Sequence, residues 1–359
     1  SVVMSRQISY FMEADLGYDK SQVLIVSSLP RIWTEEGMNK MEIAKREFLT
    51  SPRINSVSLS WGSPNFNFEP YKANINHAGQ PVEKGILTSM SSADEAYVDV
   101  YGLKLLDGKF FFDEGEPFQA NRLVLNESAQ KVLGIHVGDK LDIQFSDQPF
   151  TVAGIVKDFH FESMHEKIKP VAFLHNRDFQ AYRYFSFKLN PGSLEQSVQE
   201  VEQLWKDIFP NDPFVYAFTD DRLAITYQTE LQLRKATTVA SVLILIIVLT
   251  GVLGLVSLSV AKRNKEIGIR KVLGATVSNI LLLISREYAF LMIIAFALSI
   301  PVNYFFISQW LSGFAYHMEV SGWMFIVPIL ALFCITIIMV CAQSFKTAIS
   351  DPVKSLKHE

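Results

Sequence analysis

AKRNKEIGIRKVLGAT, residues 261–276, decides how this chain is read. Lys262, Arg263, Lys265, Arg270 and Lys271 crowd into ten positions with a single acid, Glu266. The stretch follows directly on Ala236 to Ala261, which carries no charge at all. Roughly 20 apolar residues suffice to cross a bilayer, so the basic stretch reads as the exit of a membrane span. Two more runs of that length follow: Tyr288 to Ile307, with an apolar lead-in from Val277 broken by Arg286 and Glu287, and Trp323 to Ala342. A buried soluble helix can imitate one such run, but not three within about a hundred residues.

Lysine and arginine accumulate in short cytoplasmic loops. The loop after the first span is basic, the loop over 308–322 has neither residue, and the tail carries Lys346, Lys354 and Lys357. The reading is three spans, at about 236–261, 285–307 and 323–342, with a cytoplasmic loop at 262–284 and a cytoplasmic tail at 343–359. Trp310 and Trp323 are expected as interfacial anchors on the outer side. Arg286 and Glu287 are expected at the inner membrane interface, snorkelling or facing the bundle. Residues 1–235 then lie outside the cytoplasm. Since they open with no signal peptide or spanning run, at least one further span is expected upstream.

The outer part mixes charges, aromatics and turn residues. SQVLIVSS (21–28) reads as a strand, Asn39 to Leu49 as a helix, and the stretch beyond Pro52 as a second strand. YRYFSFKL (182–189), an amphipathic helix with Leu194, Val198, Val201 and Leu204 on one face, and PFVYAF (213–218) repeat the pattern. The expected fold is therefore an α+β extracytoplasmic domain, two strand-helix-strand units with a β-rich insertion at about 75–180, followed by a three-helix transmembrane domain. DDRLAITYQTELQLRK (220–235) has no Pro or Gly and is expected to run straight into the first span. Such a helix, about 60 Å long at 1.5 Å per residue, would form a rod, with the acidic pair at its start favoured by the helix dipole.

Catalytic signals are absent from the sequence. GIHVGDK (134–140) lacks the spacing of a phosphate-binding loop, so ATP chemistry would have to come from elsewhere. His160, Glu162 and His165 in KDFHFESMHEKIKP are the best metal candidates. However, a His-x4-His spacing does not stack both rings on one helical face, and the stretch reads as a strand end with an aromatic-rich packing turn. No nucleophile context resembling GxSxG occurs. Cys334 and Cys341, both in the third span, read as small apolar packing residues.

The combination of an outer α+β domain, three downstream spans and RNKEIGIRKVLGAT resembles the FtsX-like, MacB-type permease subunits of ABC transporters. NESAQKVLG and AGIVKDFHFESMH resemble that family's outer core domain, and DPVKSLKHE resembles its cytoplasmic ending. The family plan places one span before the outer domain, and some members carry two such units in tandem. The resemblance implies an inner-membrane, multi-pass subunit that relays the movement of a separate cytoplasmic ABC ATPase to its outer domain. Export or extraction of a peptide, lipoprotein or amphiphilic drug would follow. It also implies that ATP and Mg sit on that partner with no cofactor on this chain, and that a second permease unit pairs with it, as a homodimer or tandem half. A periplasmic adaptor or a cell-wall hydrolase would be a further partner, the latter in a regulatory role without transport. Membrane lipids are expected contacts and nucleic acid is not.

By position the family's ATPase-docking surface falls on Glu266, Ile267, Gly268, Arg270, Lys271 and Gly274. The residues suit it. Glu266 and Arg270 stand at the favourable i,i+4 spacing, and Ile269, Val272 and Leu273 offer a short apolar face for a groove. Gly274 suits a helix end and Thr276 the next helix start. Anchoring of anionic lipid headgroups would need the basic residues alone.

Overall fold

A computed structural model describes residues 2–64, 71–111, 120–263, 266–267, 269–270 and 273–349. The chain divides into two compact units, Met12–Gln228, and Ser1–Phe11 with Thr229–Glu359.

The first unit is built on a four-stranded antiparallel sheet. Its elements are β1 (Val23–Val26), α2 (Glu35–Phe48) and β2 (Ile54–Ser60), then, beyond an insertion, β10 (Tyr184–Leu189), α6 (Leu194–Ile208) and β11 (Tyr216–Phe218). The strand order β11-β1-β10-β2 makes this a split βαβ sandwich. Both helices begin where a hydroxyl satisfies an otherwise orphaned amide: Thr34 accepts from Gly37 N–H and Ser193 from Gln196 N–H. Each then turns Met38, Met41 and Phe48, or Val201 and Trp205, onto Phe185 and Phe187 of the sheet. Phe48 packs edge-on against both phenylalanines, at 5.6 and 4.9 Å between centroids. Leu194, placed by its spacing on the core face, is exposed because it opens the helix, and Trp205 takes the buried role.

The insertion carries β3 (Tyr71–His77), β4 (Ile86–Ala93), α3 (Tyr97–Tyr101), β5 (Leu105–Gly108) and β6 (Arg122–Asn126). It continues with α4 (Glu127–Leu133), β7 (Lys140–Ile143), β8 (Phe150–Val156), β9 (Val171–His175) and the one-turn α5 (Asn176–Phe179). The pairings β4-β3-β7-β8-β6-β9 close on β4, with β6–β8 and β4–β9 parallel. Closure removes free edges from a ring of short strands. Ile75, Leu123, Leu125, Leu141, Val152 and Ile155 fill its interior. Ser60 pairs with Ala93 and so links ring and sheet through β2 and β4.

The continuous helix expected from 221 to 260 is interrupted. Helix α7 (Thr219–Thr226) ends at Tyr227, and α8 (Gln228–Lys262) begins after it. Tyr227 leaves helical geometry at φ −101° and ψ 20° because its side chain is fully buried and its hydroxyl accepts from Met164 N–H at 3.0 Å. Asp220 and Asp221 lie in the first turn of α7, but Phe218 occupies the cap position with no side-chain bond. The acids therefore favour the helix start through its dipole, and Asp220 also stands 3.8 Å from Lys20 Nζ.

In the second unit, three helices are long and apolar enough to span a membrane: α8, α9 (Val277–Leu311) and α10 (Trp323–Ile349). Helix α9 starts at Val277, within the stretch expected as loop, and Arg286 and Glu287 lie inside the helix. Val256, Val260, Ile267, Ile280, Ile284 and Val340 form the core where the three meet. Elsewhere the helices present apolar surface: Ile247, Leu298 and Ile338 are each about two-thirds exposed. Cys341 is half-buried near Ser285, whereas Cys334 is exposed, contrary to its reading as a packing residue.

The helix at the start, α1 (Val2–Glu13), has no counterpart in the sequence reading. Within this unit, buried Gln7 clamps the loop between α9 and α10, donating to Tyr316 C=O at 3.1 Å and accepting from Met318 N–H at 2.9 Å.

Candidate functional site in the basic loop

The expected docking residues lie between α8 and α9. Gly268 and Lys271, together with Val272, fall outside the described residues. Glu266 and Arg270 form the anticipated pair, guanidinium to carboxylate at 2.7 Å, with both side chains about half exposed. An exposed pair of this kind contributes little stability, and it fixes the direction of two charges. Ile267 behaves differently from its expected place on the surface. It is buried against Val256, Val260 and Ile280, so it fastens the segment to the bundle. The outward apolar residues are Ile269 and Leu273, 55% and 80% exposed.

Gly274 ends the segment. Its φ is +91°, in the left-handed region that a glycine enters without penalty. This lets Ala275 N–H reach back to Arg270 C=O at 2.9 Å, the six-to-one bond of a Schellman ending. Thr276 then caps α9 by accepting from Asn279 N–H. Arg263 pairs with Glu287 across the loop at 2.7 Å, which gives Glu287 a partner at the base of the segment, and Arg286 is exposed beside it. The result is a short, terminated projection with an apolar tip and charged flanks. Among its described residues no group of three metal-ligating side chains occurs.

In the outer unit, His160 and His165 do not converge on a site. His160 is buried and donates its backbone N–H to Leu16 C=O, and burial pushes its imidazole pKa down. The His165 ring stacks on Tyr227 and its Nδ1 meets Ser163 Oγ. Among the described residues no group of three His, Cys, Asp or Glu is arranged to hold a metal. The two outer stretches singled out in the sequence interlock instead. Asp158 accepts from Asn126 Nδ2, Ser128 N–H and Ser128 Oγ, and buried Asn126 also accepts from Val171 N–H.

A buried charge cluster escaped the sequence reading. Lys45 of α2 donates to Asp94 at 2.8 Å and to Glu95 at 2.7 Å, beside β4 of the ring. Ser58 Oγ and Leu59 N–H also donate to Asp94. His175 Nε2 approaches Glu95 at 3.6 Å, and Arg177 grips Glu42 through two bonds. Burial drives the Lys45 pKa down, but the two carboxylates outweigh it and hold the ammonium above its usual range. Complete burial lifts Asp94, whereas the His175 and Lys45 contacts overcome burial at Glu95 and hold it well below the usual carboxylate range. The only hint in the sequence was an adjacent Asp94-Glu95 pair closing a run of small residues.

An α+β outer domain joined to three apolar helices through whose first loop runs a basic, helix-ended projection defines a membrane protein with an extracytoplasmic domain. The profile of the MacB-like periplasmic core domain matches residues 10–204, and that of the FtsX-like permease C-terminal region matches 238–352. The chain belongs to this family of FtsX/MacB-type permeases. Similar curated proteins are the macrolide export ATP-binding/permease proteins MacB 1 of Yersinia pestis bv. Antiqua (strain Antiqua) and MacB 2 of strain Nepal516. Both are 26% identical over 270 residues, which is 70% of this chain and 40% of theirs. The chain thus spans about 40% of the length of the relatives it matches. Among solved structures, the periplasmic region of MacB from Actinobacillus actinomycetemcomitans aligns at TM-score 0.41 and 14% identity, covering 58% of this chain and 94% of that one. The extracellular domain of the noncanonic ABC-type transporter YknZ from Gram-positive bacteria aligns at TM-score 0.37 and 14% identity, covering 54% and 97%.

Proposed function

We propose that this chain is the permease component of an ABC transporter and that the projection between α8 and α9 is where a cytoplasmic ABC ATPase docks. ATP and Mg belong to that ATPase, and the chain contributes movement rather than chemistry. Two permease units, as a homodimer or tandem halves in the inner membrane, receive the motion, and each passes it along α8 toward its outer domain. The work performed is export or extraction of a peptide, lipoprotein or amphiphilic drug, in keeping with the macrolide export named for its relatives.

The observation that carries this reading is the pairing of an exposed apolar tip, Ile269 and Leu273, with an inward anchor, Ile267, on a segment closed by Gly274. Lipid anchoring has use for basic residues but none for a terminated helix with an apolar tip. Ile269→Glu and Leu273→Glu, which alter neither the anchor nor the basic charges, are expected to remove the ATPase from the permease purified in mild detergent, with insertion retained. Full retention of the ATPase by both variants overturns the docking assignment.

A further inference from the structure

The outer unit contains a pocket of about 400 Å³ where the α+β sheet meets the ring, and its walls are aromatic. Trp33 arrives from the loop after β1, Trp61 from the end of β2, Tyr71 from the start of β3, and Phe179 from α5, with Met90 of β4 as its apolar floor. That volume lies within the range of small-molecule sites.

The pocket is held open by fixed contacts. Trp33 Nε1 donates to Tyr182 C=O at 3.1 Å, and the Tyr182 hydroxyl donates back to Ile32 C=O at 2.9 Å, which locks the Trp33 loop to the segment just before β10. The two indoles meet at 5.5 Å in an edge-on pair. Gln180 lines the wall with φ +48°, a left-handed conformation that an L-residue adopts at a cost. Strained residues of this kind concentrate at binding sites. Trp33 and Tyr71 remain 44% and 51% exposed, although their rings face a concave surface.

Charge selects among apolar ligands. None of the described lining residues is charged. The Arg183 guanidinium lies over Trp61 at 5.2 Å from its ring centre and 5.9 Å from that of neighbouring Tyr184. Asp178, next to the lining Phe179, turns one carboxylate oxygen to Arg122 N–H. With a guanidinium already on the Trp61 face, a cationic ligand would meet like charge there, whereas an anionic group would find a partner.

We propose that this pocket binds a small anionic amphiphile, its aryl or alkyl body between Trp33, Trp61 and Tyr71 and its acidic group on Arg183. The site stands on the outer unit alone and holds whether or not an ATPase drives the chain. The test uses the full chain in phosphatidylcholine nanodiscs, titrated calorimetrically against empty discs with three probes of one ring system: naphthalene-1-sulfonate, 1-naphthalenemethanol and 1-naphthylmethylammonium. Saturable binding in the order anion, neutral, cation is expected. Arg183→Gln should weaken the anion about tenfold and leave the neutral probe within twofold. Tyr71→Ala, at a half-exposed position, should weaken both. Binding of the cation as tight as the anion, anion binding unmoved by either variant, or no saturable binding of the anion overturns the proposal.

Discussion

Replacing Gly274 by alanine isolates what the closed end of the basic loop contributes to docking. A Cβ built at this position meets no atom within 4 Å, so the substitution carries no steric clash. What remains is the left-handed backbone at φ +91°, which costs an L-residue about 1–2 kcal/mol. That is roughly a 5- to 30-fold shift in a two-state equilibrium. It acts against the conformation in which Ala275 N–H reaches Arg270 C=O. A partner that recognises only the closed segment loses affinity in proportion to the competent fraction. The ATPase should therefore bind Gly274→Ala up to about 30-fold more weakly, the full factor applying where the closed end is only marginally populated. Asparagine enters the left-handed region more readily, so Gly274→Asn should recover most of the loss. Binding of the purified ATPase to the full chain in nanodiscs, with permease-stimulated ATP hydrolysis as a second readout, measures both. Wild-type affinity in the alanine variant, or equal impairment by alanine and asparagine, refutes the reasoning.

Three other outcomes follow from the outer unit. Lys45→Met leaves Asp94 and Glu95 buried without their cation and should destabilise the unit by about 3–5 kcal/mol, read from the denaturant midpoint of its transition. Glu95 is held below the ordinary glutamate value of 4.5, so its contribution is complete above that pH and drains away as pH falls toward its folded value; Glu95→Gln should flatten this acid limb. Tyr227→Phe deprives the Met164 N–H of its acceptor and should cost about 1–3 kcal/mol, with faster hydrogen exchange at Met164 as the local signature.

Much of the architecture was legible because it depends on local pattern. YRYFSFKL contains β10 from Tyr184 to Leu189, and the two strand-helix-strand units fell close to their expected places. Gly274 and Thr276 also declared themselves, since helix ends are decided by backbone conformation and one nearby hydroxyl. The rod over 221–260 failed because nothing local marks Tyr227 as a break. Its hydroxyl is claimed by a backbone amide 63 residues away. Ile267 was placed on the docking surface by family resemblance alone, and only the packing of the bundle decides that its side chain points inward.

The amino-acid order alone determined that three segments are apolar enough to span a membrane, that the loop between the first two is basic, and that the outer part is α+β with a β-rich insertion. These are properties of length, charge and periodicity, each readable within a few turns of chain. Tertiary structure decided which strands close the ring, that Lys45 meets Asp94 and Glu95, and that Trp33, Trp61, Tyr71 and Phe179 enclose one pocket. Those contacts join residues far apart in the chain. They form because burying apolar faces brings distant strands together, and the register of that packing is set by the whole core rather than by any one segment.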